Sequence, residues 1–389
     1  MNVLHAISSL DPSAGGPPLV ALHLAAAEAA SGCRTRIFSY QAPTAGDDAN
    51  GSVLRRAAAL QVDLQLMAAP GACERVLALG ARRQCAQWLR QANLLHLHGV
   101  WDPMLLRVAR AAAAMGVAYC VTPHGMLDAW QLQQKRLKKR LALSLGYRQM
   151  LDRAAFLHFL NPDEARLAAP LGLSSPAQVI PNGVSPEELE PMPARGCFRA
   201  RYPELADCPV VLFLGRLHYK KGLDYLADAF AIVLAAQPRA RLVVAGPDGG
   251  ARAPFEAQLR RLGIAGQVLL VGPLYAEQKL QALVDCDCFC LPSRQEGFSL
   301  AIAEALGCGV PVVISEPCHF PEVGEAGAGI VTPLDPKLIA AALTLILSDR
   351  AAAAGMGAKG RQLVTARYTW PIVARRMVAA YRSAIGGAQ

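Results

Sequence analysis

From its first residues the chain alternates short apolar runs with longer stretches whose apolar positions recur at helical spacing. Asn2–Ile7 reads as a buried strand, Asp11–Pro18 as a Gly/Pro-rich loop, and Leu19–Ala30, closed by Gly32, as a helix. Strand-like runs recur at Thr35–Tyr40, Leu94–His98, Ala118–Thr122 and Phe156–Leu160, with a helical pattern over Met104–Met115. Strands alternating with helices predict a parallel sheet covered by helices, because a parallel crossover needs a connection long enough to hold one. A polar, proline-rich stretch, Pro181–Pro209, breaks the pattern and reads as the interdomain connection. The alternation then restarts with strands at Pro209–Leu214, Arg241–Ala245, Val268–Val271, Asp287–Leu291 and Pro311–Ile314. Helical patterns lie between them at Gly222–Gln237, Pro254–Leu262, Glu277–Val284 and Ser299–Leu306, which predicts a second doubly wound domain. Trp370–Ile385 has helical spacing and is expected to pack back on the first domain. The expected boundaries are 1–185, 186–369 and 370–389.

Composition narrows this picture. At 389 residues the chain exceeds the size at which single cores stop growing, so two domains of ordinary size are expected. An apolar content of 53% with 18% charged residues excludes a disordered chain. The excess of 39 Lys+Arg over 30 Asp+Glu, a net +9, predicts an anionic partner: nucleic acid, a membrane surface or a phosphorylated small molecule. Aromatics are only 6% and none interleave with the basic cluster Lys135–Arg140 to stack bases, which argues against nucleic acid. That cluster reads equally as a solvated helix face and as a contact for an anionic membrane or a phosphate-bearing lipid acceptor. No run reaches the ~20 apolar residues of a spanning helix. The eleven cysteines show no repeated framework and Met1–Leu10 lacks the pattern of a secretion signal. The expected compartment is therefore a reducing cytoplasm, with peripheral contact at the inner membrane face left open.

The most informative segment is Ser293–Glu304, directly after an apolar strand, with Glu296 in its loop and Glu304 on the following helix. Loops at the carboxyl ends of strands are where open α/β sheets bind ligands, and a helix N-terminus there favours phosphate. A carboxylate only accepts, so it suits two neighbouring hydroxyls of a ribose or hexose. Spacing alone does not demand this, since paired glutamates are common on helices. In Phe213–Leu223, Arg216 and Lys221 lie on a loop bracketed by Gly215 and Gly222 at a helix start, where two cations can neutralise a departing diphosphate; Lys220 reads as the exposed neighbour. Gly246 and Pro273 close strand-to-loop turns that fit a ligand cleft or an ordinary strand end equally well. Gly15 and Gly16 follow the opening strand, a weak signal alone. His124 is held between Pro123 and Gly125 in a loop after a strand, which favours a ligand contact over a core role.

Other groups receive structural readings. His96 and His98 share one strand face, but without a third ligand nearby they read as satisfied polar side chains rather than a zinc pair. Asp285 and Asp287 mimic a metal-binding Asp-x-Asp, yet sit where a helix ends and a buried strand begins. Cys286, Cys288 and Cys290 read as small buried apolar residues.

Ser293–Glu304 with the turn Gly307–Val313 closely resembles the E-x7-E signature of glycosyltransferase family 4, whose GT-B fold sets two Rossmann-like, doubly wound parallel-sheet domains face to face across a cleft. The resemblance covers nearly the whole chain, strongest over Val210–Pro333 and weaker before Asn93. It implies a retaining transferase that moves a hexose from a UDP- or GDP-sugar to a glycan or lipid-linked acceptor, in surface polysaccharide or lipopolysaccharide synthesis, with no cofactor or metal. His98–Asp102 and Pro123–Asp128 are similar to family members that build bacterial surface polysaccharides. By resemblance, His124, Arg216, Lys221 and Glu296 are catalytic. The donor-binding set is Gly15, Gly16, Arg216, Lys221, Gly246, Pro273, Glu296, Gly297, Phe298, Ser299, Leu300 and Glu304. Arg216 and Lys221 would hold the diphosphate, Glu304 the ribose, Glu296 with the amides of Gly297–Ser299 the hexose, and His124 would lie near the transferred sugar. The implied attack is from the front face, the leaving phosphate taking the acceptor's proton. Two rivals remain: an epimerase of the same fold, and a non-catalytic nucleotide-sugar-binding partner of a polysaccharide assembly complex. The intact Arg, Lys and Glu set argues against the second, and the donor-type loop argues against a pyridoxal-phosphate phosphorylase.

Overall fold

The computed structural model describes residues 1–11, 16–41, 47–128, 132–134 and 136–386, with backbone alone for 47–52. The chain divides into two compact units, Met1–Gly183 with Trp370–Gln389, and Val184–Thr369.

The first unit is built on a seven-stranded sheet in the order β3-β2-β1-β4-β5-β6-β7. Its strands are β1 (Asn2–Ser9), β2 (Arg34–Tyr40), β3 (Asp63–Met67), β4 (Leu94–His98), β5 (Ala118–Thr122), β6 (Phe156–Phe159) and β7 (Ala177–Val179). Every described pairing is parallel. The central β4 is buried throughout because helices cover both faces of the sheet, while the edge strands β3 and β7 carry polar residues and are only partly covered. Helix α1 (Gly16–Ala30) follows β1, and α2 (Pro103–Ala114) follows β4. Asp102 caps α2 by accepting the Met104 amide at 2.8 Å, and Pro103 supplies a first-turn residue that needs no donor. The terminal helix α6 (Trp370–Gly386) belongs to this unit: Trp370 stacks on His23 of α1, and Tyr381 is fully buried.

The second unit carries a six-stranded sheet in the order β10-β9-β8-β11-β12-β13. Its strands are β8 (Val210–Leu214), β9 (Arg241–Ala245), β10 (Val268–Gly272), β11 (Cys288–Leu291), β12 (Val312–Ser315) and β13 (Gly329–Thr332), again paired in parallel. Three helices matter below: α3 (Leu223–Ala236), α4 (Ala276–Asp285) and α5 (Leu300–Gly307).

Pro181–Pro209 is not merely a connection, which corrects the reading of that stretch. Leu189, Phe198 and Leu205 are buried in the core of the second unit. The Asp285 carboxylate accepts the amides of Gly196, Phe198 and Arg199, and Asp287 accepts from Arg195, Arg199 and the Val210 amide. The polar surface of the segment hid three anchoring apolar residues. The same bonds give Asp285 and Asp287 the structural employment expected of them, and Cys286, Cys288 and Cys290 are buried as expected.

Candidate active site

In the second unit the strand order reverses between β8 and β11, which lie side by side. The chain leaves β8 toward β9 and β11 toward β12, so the loops at their carboxyl ends diverge, the arrangement that creates a ligand crevice in open α/β sheets. The two loops are laced together. The Arg294 amide donates to the Lys220 carbonyl at 2.7 Å, and Lys220 Nζ donates to Gln295 Oε1 at 2.7 Å. Gly222 ends a short turn, Tyr219–Lys221, with φ 67°, and a Cβ there would lie 1.8 Å from the Pro292 carbonyl oxygen. Only glycine lets the two backbones approach this closely.

This approach brings Lys221 and Glu296 together: Nζ lies 2.6 Å from Oε1, and Ser293 Oγ donates to the same oxygen. The Glu296 side chain is 9% exposed, so the pair is largely shielded from water. Arg294 supports the loops from behind, gripping both Asp224 oxygens with its guanidinium 4.0 Å from the Tyr219 ring centre. Burial raises the Asp224 carboxyl, but the Arg294 hydrogen bonds and charge outweigh it and hold that group below the usual carboxylate range. Glu304, on α5, pairs with Lys279 of α4 at 2.7 Å. Phe298 packs on Phe320 and Tyr368 with ring centres 5.4 and 5.8 Å away, and buried Ser299 precedes Leu300 at the start of α5. Arg216 is exposed on the loop after β8, its stem so close to Gly249 that a Cβ there would meet it at 2.8 Å. Gly246, φ 145°, leaves no room for a side chain against the Gly215 carbonyl, and its amide donates to the Gly272 carbonyl at 2.9 Å beside Pro273. The candidate residues of the second unit therefore sit on contiguous loops after β8, β9, β10 and β11, with Leu300 and Glu304 on the helix α5 that follows the last of them. Lys279, Ser293 and Arg294 escaped the sequence reading, although Ser293 and Arg294 lie inside the segment it singled out.

In the first unit Gly15 lies outside the described residues, and Gly16 opens α1 with open space around it. His124 follows β5 in the left-handed region, φ 53°, and Gly125 continues there at φ 75°. A non-glycine residue in that region stores strain that its surroundings must sustain. Here the buried Glu164 carboxylate does so, accepting the Gly125 amide through one oxygen and the Leu160 amide at 2.7 Å through the other. Burial pushes the Glu164 carboxyl up. His124 Nε2 rests 3.2 Å from His98 Nδ1, and burial pulls its pKa down to about 3, leaving a neutral imidazole.

His98 and His96 need a correction: a third imidazole is nearby, because the β1–β4 register sets His5 opposite His96. The three rings place ligand-type atoms within 4.8 Å of one another. Each ring nitrogen of all three is nonetheless hydrogen-bonded to protein, which is the satisfied polar role expected. The sequence reading missed His5, Glu28, His158 and Tyr381, which complete this buried cluster.

Of the basic cluster, Lys135 lies outside the described residues. Arg136–Ala142 form a short helix with no buried residue, and Leu137, Leu141 and Leu145 are 80%, 60% and 63% exposed.

The family profile described as Glycosyl transferases group 1 matches residues 198–363, and the one described as Glycosyl transferase 4-like domain matches 15–183. The chain is 29% identical over 294 residues to the GDP-mannose-dependent alpha-(1-6)-phosphatidylinositol monomannoside mannosyltransferase of Mycobacterium tuberculosis, covering 72% of this chain and 73% of that protein. It is 30% identical over 261 residues to the D-inositol 3-phosphate glycosyltransferase of Kineococcus radiotolerans, covering 62% and 60%. Among solved structures, HepE of Anabaena in complex with UDP and glucose superposes with a TM-score of 0.79 at 20% identity, over 98% of this chain and 100% of that one. At that identity the likeness carries the fold alone, two Rossmann-like parallel-sheet domains of the GT-B kind.

Proposed function

The chain belongs to the group 1, family 4-like glycosyltransferases, and from that premise we propose that it moves a hexose from a nucleoside-diphosphate sugar to a hydroxyl of a lipid-linked or glycan acceptor, with retained anomeric configuration. The observation that carries this reading is the Lys221–Glu296 pair at 2.6 Å, held at the β8/β11 switch point with Glu304 on the helix that follows. Lys221 and Arg216 neutralise the diphosphate as its bond to the anomeric carbon breaks, Glu296 accepts from hexose hydroxyls, Glu304 accepts from the ribose, and neutral His124 contacts the sugar. The acceptor oxygen bonds to the anomeric carbon and its proton passes to the departing phosphate, so neither a covalent nucleophile nor a metal ion is called for.

The relatives' names include a phosphatidylinositol monomannoside and D-inositol 3-phosphate, and the exposed leucines beside Arg136, Lys138 and Arg140 would suit a lipid-linked acceptor at an anionic membrane face. We therefore place the protein in the cytoplasm, peripheral at the inner membrane face, in surface glycan synthesis. Relative and neighbour differ in nucleotide, GDP in one and UDP in the other.

A thermal-shift panel of UDP-glucose, UDP-galactose, UDP-N-acetylglucosamine and GDP-mannose in the presence of EDTA tests the reading. One nucleotide class is expected to raise the melting temperature, and Glu304→Ala to abolish the rise. No shift with any donor, or an undiminished shift in the variant, would sink the site assignment. Donor converted to an isomerised sugar without acceptor would favour the epimerase.

A further inference from the structure

The first unit holds a polar array that the transfer reaction leaves unexplained. His124 Nε2 lies 3.2 Å from His98 Nδ1, His98 Nε2 3.0 Å from His5 Nδ1, and His5 Nε2 2.9 Å from Glu28 Oε2. Glu28 Oε1 is 2.8 Å from the Tyr381 hydroxyl, which lies 2.6 Å from His96 Nδ1. His96 Nε2 reaches Thr122 Oγ1, which is 2.7 Å from His158 Nδ1, and His158 Nε2 ends 2.7 Å from the Ile180 carbonyl oxygen. Apart from His124, every side chain in the array is buried. An unpaired polar atom in such surroundings is costly, so the protons must be placed to leave none.

The far end sets the direction. A carbonyl only accepts, so His158 donates from Nε2 and accepts at Nδ1. Thr122 spends its single proton there and can only accept from His96 Nε2–H. The Tyr381 proton then goes one of two ways. Given to His96, it leaves the phenol oxygen to accept from a protonated Glu28 Oε1; given to a Glu28 carboxylate, it leaves that oxygen to accept from a second proton on His96. Protonating Glu28 Oε2 as well would leave a buried imidazolium with no anion, a charge too costly to keep. In both permitted cases Glu28 Oε2 accepts, so His5 donates from Nε2; a second proton on His5 would be a buried charge with no anion left to answer it, so His5 accepts at Nδ1. His98 must then donate from Nε2 and accept at Nδ1, and His124 must donate from Nε2. The His124 Nδ1 atom has no hydrogen-bond partner among the described residues.

We infer that His98, His5, Glu28 and Tyr381 are positioning residues that lock His124 in its Nε2–H tautomer, so that Nδ1 meets the sugar as a hydrogen-bond acceptor and never as a donor. The inference rests on the proposed contact between His124 and the transferred sugar. The left-handed backbone at His124, pinned through Gly125 by Glu164, holds the ring in the orientation the array requires. The proximity of His5, His96 and His98 needs no metal to explain it, because this placement satisfies both nitrogens of each ring.

The test is a long-range 1H–15N correlation on the full-length protein labelled with 15N-histidine, with His124 assigned by the signal lost in His124→Asn. The wild-type protein is expected to show His124 protonated at Nε2 and bare at Nδ1 near pH 7.5. His98→Asn keeps an acceptor oxygen beside His124 and should keep the tautomer, whereas His98→Phe should release a mixture with Nδ1–H. With that release, kcat should fall ~10–100-fold, the range for a lost orienting partner, while the donor KM stays within a few-fold and His98→Asn recovers most of the loss. Protonation of His124 at Nδ1 in the wild type, or an unchanged tautomer in His98→Phe, overturns the inference. Should His98→Phe fail to fold, the wild-type spectrum alone decides. Absence of any donor shift in the thermal panel would sink the transferase site and leave this spectrum readable; the wrong tautomer would sink this inference and leave donor binding intact.

Discussion

Two adjacent residues on the loop after β8 separate chemistry from architecture. Lys221 touches Glu296 from a position 24% exposed, and Glu296 keeps its bond to Ser293 if the lysine is removed. Lys221→Ala should therefore cost ~10²–10³ in kcat under saturating donor, the scale of one lost charge-stabilising group, with little change in melting temperature. Gly222→Ala should do the reverse. Its φ of 67° costs an alanine ~1–2 kcal/mol, and the new Cβ would sit 1.8 Å from a backbone oxygen that cannot turn aside. A stability loss of several kcal/mol in chemical denaturation is expected. An alanine at 221 that unfolds the protein, or one at 222 that leaves it intact, would show the roles wrongly divided. Lys221, Glu296, Glu304 and His124 could be singled out in the sequence because each lies in a short run whose glycines and flanking strand announce it. Their partners could not. Lys279 comes from a different helix, and the partners of His124 come from β1, β4, α1 and α6, brought together only by the sheet order.

At the scale of elements, the buried strands were readable because helices cover both faces and so demand unbroken apolar runs, as in Leu94–Leu95 and Val210–Leu214. The edge strands β3, β7 and β13 were not. Asp63–Met67 and Ala177–Val179 are short and half polar, and Gly329–Thr332 is too brief to stand out from its glycine-rich surroundings. The Arg136–Ala142 helix is the opposite case, apolar side chains that no core claims. Leu137 and Leu141 of this helix, with Leu145 just beyond its end, recur every fourth residue beside Arg136, Lys138 and Arg140, the pairing of apolar anchor and basic flank that binds an anionic bilayer. The wild-type protein is expected to sediment with vesicles containing phosphatidylglycerol, less so at high salt, and changing all three leucines to Gln should release it without lowering its melting temperature. Equal sedimentation of the triple variant would mean that the segment is only a solvated face.

For the whole molecule, the placement of the histidines makes the two units unequal in acid. Burial first, and neighbouring imidazoles second, hold His96 and His98 well below the ordinary histidine range and bring His124 to about 3; burial alone is the main cause bringing His158 to about 4. All four lie in the first unit. Their pKa is lower folded than unfolded, where it is ~6.5, so below that pH the unfolded chain binds more protons and stability is lost as pH falls toward the folded values. Each group weakens folding by on the order of 1 kcal/mol per pH unit across that window. Glu164 and Asp102 oppose this in part, since burial raises both carboxyls in the folded state and their protonation favours it at low pH. The second unit has only His218 shifted the same way, through desolvation first and three nearby cations after it, and that ring is far less buried. Between pH 7.5 and 5.5, hydrogen-exchange protection corrected for intrinsic rates should therefore fall in β1, β4 and β5 while β8, β11 and β12 keep theirs. Undiminished protection in β1, β4 and β5 would mean that the array opens to water in the native state and takes up its protons without unfolding, in which case it could not hold a fixed tautomer at His124 either.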